Sequence, residues 1–337
     1  MKKRLAAIWK RRGKKMSTNS AVARGTATNA TPMAGALDVA VVVVSWNVRD
    51  CLVDCLQSVN AELFRARLRG KIWVVDNGST DGTPEYIESL FPTVTVIAND
   101  HNPGYGAACN QGMWAAMPYQ PRYLFMLNPD TLIRPGAIKA MVDTLDTDLA
   151  VGMVGPSLIY GSGRFQHSAF AFPGIRQLMF EFLPFPARLY ETRLNGRYSR
   201  RAYNGKNPFS IDHPLGAAMM VRRDVAESTR GFDESFYMYC EEIDWSWRIH
   251  EAGWDVVTVP SAEIVHYGGE STKQIHAESI VNLWQSRARF YRKYHGRARL
   301  MLSRRIARAG LTRKAAREDL PELKEAYEQA AQAWSKP

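Results

Sequence analysis

A chain of 337 residues, 46% hydrophobic and 23% charged, has the make-up of an ordinary soluble globular protein and room for one large α/β domain or two small ones. No stretch approaches 18 uninterrupted apolar residues, which argues against a membrane-spanning helix. The net charge of +11 sits in two places: residues 1–24 carry nine Lys/Arg and residues 287–317 carry twelve, neither with an acid, and subtracting these 21 charges leaves the rest of the chain at −10.

The sequence therefore reads as an acidic body between two basic extensions, which suits an anionic partner, either a phospholipid surface or nucleic acid. A solubilising tail and a solvated helix face are the plainer alternatives for the two segments. The first segment, Met1 to Trp9, is too weakly apolar for a signal peptide. Residues 17–36 are Ser/Thr/Asn/Ala/Gly, the composition of a flexible linker, so 1–36 is expected to be a basic, flexible tail. The four cysteines show no CxxC pair and no zinc-like spacing. Cys51 and Cys55 fall one helical turn apart, a packing pattern, and the expectation is reduced thiols in a cytosolic compartment.

From Val39 onward, apolar strand-like runs alternate with helical patterns. Val39–Ser45 is followed by a helix over Arg49–Asn60, Lys71–Asp76 by Thr83–Phe91, Val94–Ala98 by Gly104–Met117, and Tyr123–Leu127 by Pro135–Leu145. This βαβαβαβα order predicts an α/β, mostly parallel sheet with helices on both faces. The rhythm changes after Ala150. Val151–Val154 reads as a short strand and Leu158–Gln166 as a hairpin. Residues 170–208, rich in Pro, aromatics and Arg without periodicity, read as an ordered but irregular loop or mobile flap. Gly216–Arg222 reads as a strand, Glu241–Ala252 as a helix and Asp255–Val259 as a strand. The expected division is a first half of one α/β domain, 37–150, a second half, 151–285, and a basic helical extension, 286–337.

Three carboxylate sites stand out. Asp76 ends the second strand, before Asn77-Gly78-Ser79, where it can accept from a nucleobase imide or a ribose hydroxyl, or merely cap the turn. Asp130 closes Leu127-Asn128-Pro129-Asp130 after a buried strand. It is the metal candidate, with Asn128 as a neutral oxygen donor, unless it only caps the next helix. Glu241, Glu242 and Asp244 open a helix. The helix dipole favours acids there, yet three in four residues repel one another and raise at least one pKa towards that of a general base. His266 opens a loop with Gly268 and Gly269 and can join the metal, bind a phosphate or serve structure alone. Ser45-Trp46-Asn47 stands where a dinucleotide fold needs G-x-G-x-x-G, which disfavours a Rossmann dehydrogenase.

Taken together, Val43-Val44-Ser45-Trp46-Asn47, Val74 through Thr83, Asn102 through Asn110, Leu127-Asn128-Pro129-Asp130, Gly231-Phe232-Asp233-Glu234 and Glu241-Glu242-Ile243-Asp244-Trp245 resemble the inverting family 2 glycosyltransferases, in particular their bacterial rhamnosyltransferase-like branch. The resemblance runs from about Asp38 to Gly296. It implies a GT-A fold and a nucleotide-sugar donor, probed by Ser45, Asn47, Asp76, Asn102, Gly104, Asn128 and Asp130. It further implies Mg²⁺ or Mn²⁺ held by Asp130 with His266, and Glu242 as base beside Glu241 and Asp244. Two departures are visible: Asn-Pro-Asp replaces Asp-x-Asp, and Glu-Glu replaces Glu-Asp. The Gln-x-x-Arg-Trp motif of processive members is absent, which implies transfer of one sugar per encounter.

The resemblance implies dTDP-L-rhamnose or a UDP-hexose as donor and a lipid-linked or cell-surface glycan as acceptor, with 37–150 as the nucleotide-sugar-binding half, 151–285 as the acceptor-binding and catalytic half, and 170–208 shaping the acceptor site. With the basic extensions, it implies a cytoplasmic enzyme peripheral at the inner face of the cytoplasmic membrane and no nucleic-acid partner. A sugar nucleotidyltransferase is a rival reading, but it calls for a Gly-rich basic loop after the first strand. A non-catalytic nucleotide-sugar- or nucleic-acid-binding module is another, and it has no use for Glu242.

Overall fold

The computed structural model describes residues 36–268 and 275–335; the basic tail before residue 36 and the loop 269–274, with Gly269, lie outside them. The first half alternates as β1 (Val39–Ser45), α1 (Arg49–Ala66), β2 (Gly70–Asp76), α2 (Thr83–Leu90), β3 (Thr95–Ala98), α3 (Tyr105–Ala116) and β4 (Tyr123–Leu127). All seven residues of β1 and all five of β4 are buried. Strands covered on both faces read as continuous apolar runs, which is why Val-Ala-Val-Val-Val-Val needs no alternation. The odd residues Val39, Val41 and Val43 pack with Leu52 and Leu56 of α1. The even residues Ala40, Val42 and Val44 pack with Cys109 and Met113 of α3.

The second half begins with β5 (Thr131–Ile133), α4 (Ala137–Thr147), β6 (Val151–Ile159), β7 (Phe165–Gln166) and β8 (Ala169–Phe170). The short helices α5 (Ile175–Phe182), α6 (Ala187–Tyr190) and α7 (Arg200–Tyr203) occupy the segment read as irregular. Then follow β9 (Phe209–Ser210), β10 (His213–Pro214), β11 (Ala218–Arg222), α8 (Arg223–Thr229), α9 (Glu241–Glu251) and β12 (Asp255–His266). Last come α10 (His276–Tyr294), α11 (Arg297–Ala315) and α12 (Pro321–Ala333).

The main path of the sheet runs β3-β2-β1-β4-β11-β6-β12-β5. β3, β2, β1 and β4 are parallel, β11 is antiparallel to both β4 and β6, and β12 is parallel to β6. The expected mostly parallel sheet with helices on both faces is present, and β11 joins its two parallel blocks. Two elements outrun their sequence signals. β6 extends to Ile159, and β12 continues to His266 across a register shift between Val259 and Glu263. The shift lets one strand pass through Pro260, which has no amide hydrogen to give to a ladder. The helix read from Pro135 starts at Ala137 instead, after Gly136 at φ 88°.

The C-terminal extension is helical, as expected. α10, α11 and α12 form their own cluster around Trp284, Tyr291, Leu311 and Trp334. No helix among the described residues is long and apolar enough to cross a membrane.

Candidate active site

The C-terminal ends of β1, β2 and β4 open onto a cleft of about 300 Å³. Open α/β sheets bind ligands at this edge. Ser45, Asn77, Asn102, Asn128 and Asp130 line one side of it, and Glu241 and Glu242 the other.

The β2 side is built from internal hydrogen bonds. Asp76 is buried, and its carboxylate accepts from Ser79 N (2.8 Å), Ser79 Oγ (2.6 Å) and Ser45 Oγ (3.2 Å). Asn47, at φ 51°, gives its amide to Ser79 Oγ and accepts from Thr80 N, both at 2.8 Å. Asn77 donates to Asn102 Oδ1 (3.1 Å), which also accepts from Gly104 N (2.9 Å). Asp76, Asn47 and Gly104 therefore sit behind the cleft surface and hold Ser45, Asn77 and Asn102 at it. Gly104 is required by contact: at φ +94° a Cβ there would lie 2.2 Å from Tyr237 O.

Asp130 and His266 are 136 residues apart in sequence and are brought together by strand register. β12 pairs antiparallel with β5 so that His266 stands opposite Thr131, and Tyr267 N donates to Asp130 O (3.0 Å). Both side chains are buried, with His266 Nε2 3.5 Å from Asp130 Oδ1. Gln166 Oε1 accepts from His266 Nδ1 (3.2 Å), and Nε2 makes no hydrogen bond. The Gln166 contact fixes the ring and turns Nε2 to the carboxylate. A buried carboxylate and a buried imidazole nitrogen 3.5 Å apart have the donor chemistry that fits a divalent cation. Among the described residues no three His, Cys, Asp or Glu side chains gather to hold a metal, so the protein offers these two and, beside them, Asn128.

The opposite side belongs to α9. Its entry is strained: Tyr239 (φ 68°) and Cys240 (φ 66°) are consecutive non-glycine residues in the left-handed region. This turn aims both Glu241 and Glu242 at the cleft, although neighbouring residues on a helix normally diverge. Burial pushes Glu242 up to about 7, against the pull of the Glu242 and Ile243 amides. Burial, then the charge of Glu242, holds Glu241 well above the usual carboxylate range, and its buried Oε2 makes no hydrogen bond. Glu242 is the less buried of the two.

The segment before β11 ties the two sides together. Asn128 N donates to Ala217 O (2.8 Å), Tyr105 OH donates to Gly216 O (3.1 Å), and a Cβ on Gly216 would meet Glu242 Cδ at 3.6 Å. The Asp130 edge and the Glu242 carboxylate thus face one space.

Two expectations are not met by this geometry. Asp244 is fully buried away from the cleft and accepts from Arg248 Nε (2.8 Å), Lys293 Nζ (2.7 Å) and Tyr294 OH (2.7 Å). It clasps α9 to α10, because a residue two positions after Glu242 on a helix points to another side. Nor does any residue of 170–208 line the cleft. Sequence reasoning also missed Tyr105, Gly216, Ala217, Met238 and Tyr239. Only Tyr105 lay in a recognised motif, and nothing local marks the others.

The twelve basic residues of 287–317 are partly used inside the fold. Arg287 and Lys314 pair with Glu181, and Lys293 with Asp233 and Asp244. Arg297, Arg305, Arg308 and Arg313 of α11 are exposed, as are Met301 and Leu302.

Comparison with known proteins adds three findings. The description Glycosyl transferase family 2 matches residues 40–229. An N-acetylglucosaminyl-diphospho-decaprenol L-rhamnosyltransferase of Mycobacterium tuberculosis is 32% identical over 216 residues, 60% of this chain and 67% of that one. The rhamnosyltransferase WbbL of Escherichia coli K12 is 29% identical over 98 residues, covering 29% and 36% of the two chains. Among solved structures, the mannosyltransferase PcManGT of Pyrobaculum calidifontis, in complex with GDP-Man and Mn²⁺, aligns with a TM-score of 0.56 at 16% identity. It covers 99% of this chain and 95% of that one. GalNAc-T7 with UDP, GalNAc and Mn²⁺ aligns at 0.55 with 16% identity, over 89% and 56%.

Proposed function

The chain belongs to glycosyl transferase family 2 and has a GT-A-like fold, and we propose that this glycosyltransferase inverts the anomeric centre of a nucleotide sugar while adding a single residue to a lipid-linked or cell-surface glycan. The observation that carries the reading is Glu242: a carboxylate lifted to about 7 on one wall of a cleft whose other wall holds Asp130 and His266. A base with that affinity for protons is half deprotonated near neutrality and still strong enough to take a hydroxyl proton.

In this reading Glu242 accepts the proton of an acceptor hydroxyl as its oxygen attacks the anomeric carbon from the face opposite the nucleoside diphosphate. Burial, then the charge of Glu242, raises Glu241 well above the usual carboxylate range, which favours its protonated form beside the Glu242 carboxylate. Ser45, Asn77, Asn102 and Asn128 line the donor side. Asp76 already holds three hydrogen bonds, so of the about four acceptor positions on a carboxylate roughly one is left for a nucleobase or ribose. Asp130 and His266, helped by Asn128, would hold Mg²⁺ or Mn²⁺, which when bound offsets the charge gathering on the departing diphosphate.

The preferred donor is dTDP-L-rhamnose, supported by the rhamnosyltransferase relatives, with a UDP-hexose as the alternative. A diphospho-lipid acceptor is supported by the name of the mycobacterial relative. The division at about residue 150 into a donor half and an acceptor half belongs to the same reading. So does a cytoplasmic location, peripheral at the inner face of an anionic membrane, supported by the exposed arginines of α11. No nucleic-acid partner is needed.

Glu242→Gln provides the test. Transfer is expected to fall about 10²–10⁴-fold with donor affinity unchanged. Turnover near that of the native enzyme would remove Glu242 from the mechanism.

A further inference from the structure

Residues 170–208 leave the active-site cleft unlined but form a second cavity, of about 410 Å³, between the start of α5, the middle of α9 and the junction of α10 with α11. Its wall carries three aromatic rings. Trp247 of α9 stacks on Tyr294 (4.6 Å between centroids) and meets Phe172 at the same distance. Arg176 and Arg299 also line it. Both are exposed, and neither makes an ion pair or hydrogen bond among the described residues. No Asp or Glu is among the lining residues. α5 and α11 both begin at this wall, so their amide ends add to the positive field of the guanidiniums.

Other arginines on α9 and α10 are paired: Arg287 with Glu181 and Arg248 with Asp244. Two uncompensated guanidiniums beside an acid-free, aromatic-walled hollow form a different arrangement. A guanidinium fork matches a phosphoryl group with two parallel hydrogen bonds, and an apolar ring wall takes the C–H face of a sugar. We propose that this cavity is a second ligand site, for a phosphoryl group carried on a sugar ring. Arg176 and Arg299 hold the oxyanion, and Phe172, Trp247 and Tyr294 hold the ring. The site is separate from the donor cleft, with which it shares no lining residue. It touches α9 directly, because Trp247 lies five residues beyond Glu242 and Tyr294 OH donates to Asp244. The proposal goes beyond the glycosyl-transfer reading and does not depend on which donor that reaction uses.

The experiment is a titration of the whole protein with α-D-glucose 1-phosphate, inorganic phosphate and glucose, followed by tryptophan fluorescence. The sugar phosphate is expected to give a saturable change that is largely lost in Trp247→Phe. In the double variant Arg176→Ala/Arg299→Ala its midpoint should move up by about tenfold or more. That variant removes two exposed side chains without partners, so its thermal midpoint and its basal transferase activity should match the native protein. Inorganic phosphate should bind about tenfold more weakly and glucose still more weakly. An unchanged midpoint in the double variant, or no saturation by about 10 mM, overturns the site. Equal binding of inorganic phosphate and the sugar phosphate overturns the role given to the aromatic wall. Loss of transfer in Glu242→Gln leaves this titration unaffected, so the two readings fail separately.

Discussion

The two walls of the cleft are built on opposite principles. On the β2 side, Ser45 and Ser79 hold Asp76, Thr80 holds Asn47, and Asn77 holds Asn102, so this surface is fixed by internal hydrogen bonds before anything binds. On the α9 side, two carboxyl groups are buried side by side behind a pair of left-handed residues, and Glu241 Oε2 has no hydrogen bond at all. A satisfied network fixes position; burial of one carboxyl group beside another shifts proton affinity. In the proposed reaction, binding and chemistry fall to different walls, and the wall carrying Glu242 draws on outside support. The support is the clasp of Asp244 by Lys293 and Tyr294, together with Ser286 Oγ donating to Met238 O (2.7 Å).

After Glu242→Gln, the largest effect expected is that of Asp130→Asn. It should lower transfer by about 10²-fold and raise the Mn²⁺ concentration needed for half activity, read from a metal titration of the rate. An identical metal titration in that variant would leave the Asn-Pro-Asp corner a shaping element only.

The pH profile comes next. With Glu242 near 7 and active as the carboxylate, kcat/KM should fall about tenfold per unit below that value and level off above it. Stability should run the other way. Both glutamates hold protons in the folded state that the unfolded chain releases from its ordinary value of 4.5 upward. For Glu242 the contribution is full below that value and is lost as pH rises through about 7, and for Glu241 it runs in the same direction. Urea melts at pH 5 and pH 8, native against Glu242→Gln, isolate this term.

Gly104→Ala probes the rigid wall. Its φ of +94° and the Tyr237 carbonyl in its way should cost at least about 2 kcal/mol in denaturant melts, with donor affinity lost in proportion. The smallest effect is expected for Tyr294→Phe, which keeps the ring stacked on Trp247 and removes one donor from Asp244. A loss of about 1 kcal/mol, with a few-fold fall in kcat and little change in donor KM, would show that the clasp serves the reactive wall. Equal loss in both parameters would assign it to stability alone.

The alternating runs from Val39 to Leu127 made the parallel block and its helices legible, because strands buried on both faces need only apolar β-formers between turn residues. β5 and the full length of β12 were not legible. Three residues after Pro129-Asp130 carry no strand signal of their own, and they pair only because β12 passes beside them. Asp244 shows the same limit at the site. Sequence marked an acid next to two others, but which way it points follows from where α10 packs, and α10 lies 49 and 50 positions along the chain at Lys293 and Tyr294.

By itself, the sequence determined the alternation of strands and helices from Val39 to Leu127, the carboxylates at the ends of β2 and β4, the acid pair at the head of a helix and the basic, helical end of the chain. These are local properties, carried by side-chain periodicity and by turn chemistry. Tertiary structure alone decided that Asp130 meets His266, that Glu242 faces them while Asp244 turns away, and that Asp76 is held by Ser45 and Ser79. Register between distant strands and burial between distant helices set those distances, and with them the proton affinity of Glu242, because desolvation depends on everything packed around a group and not on its neighbours in the chain.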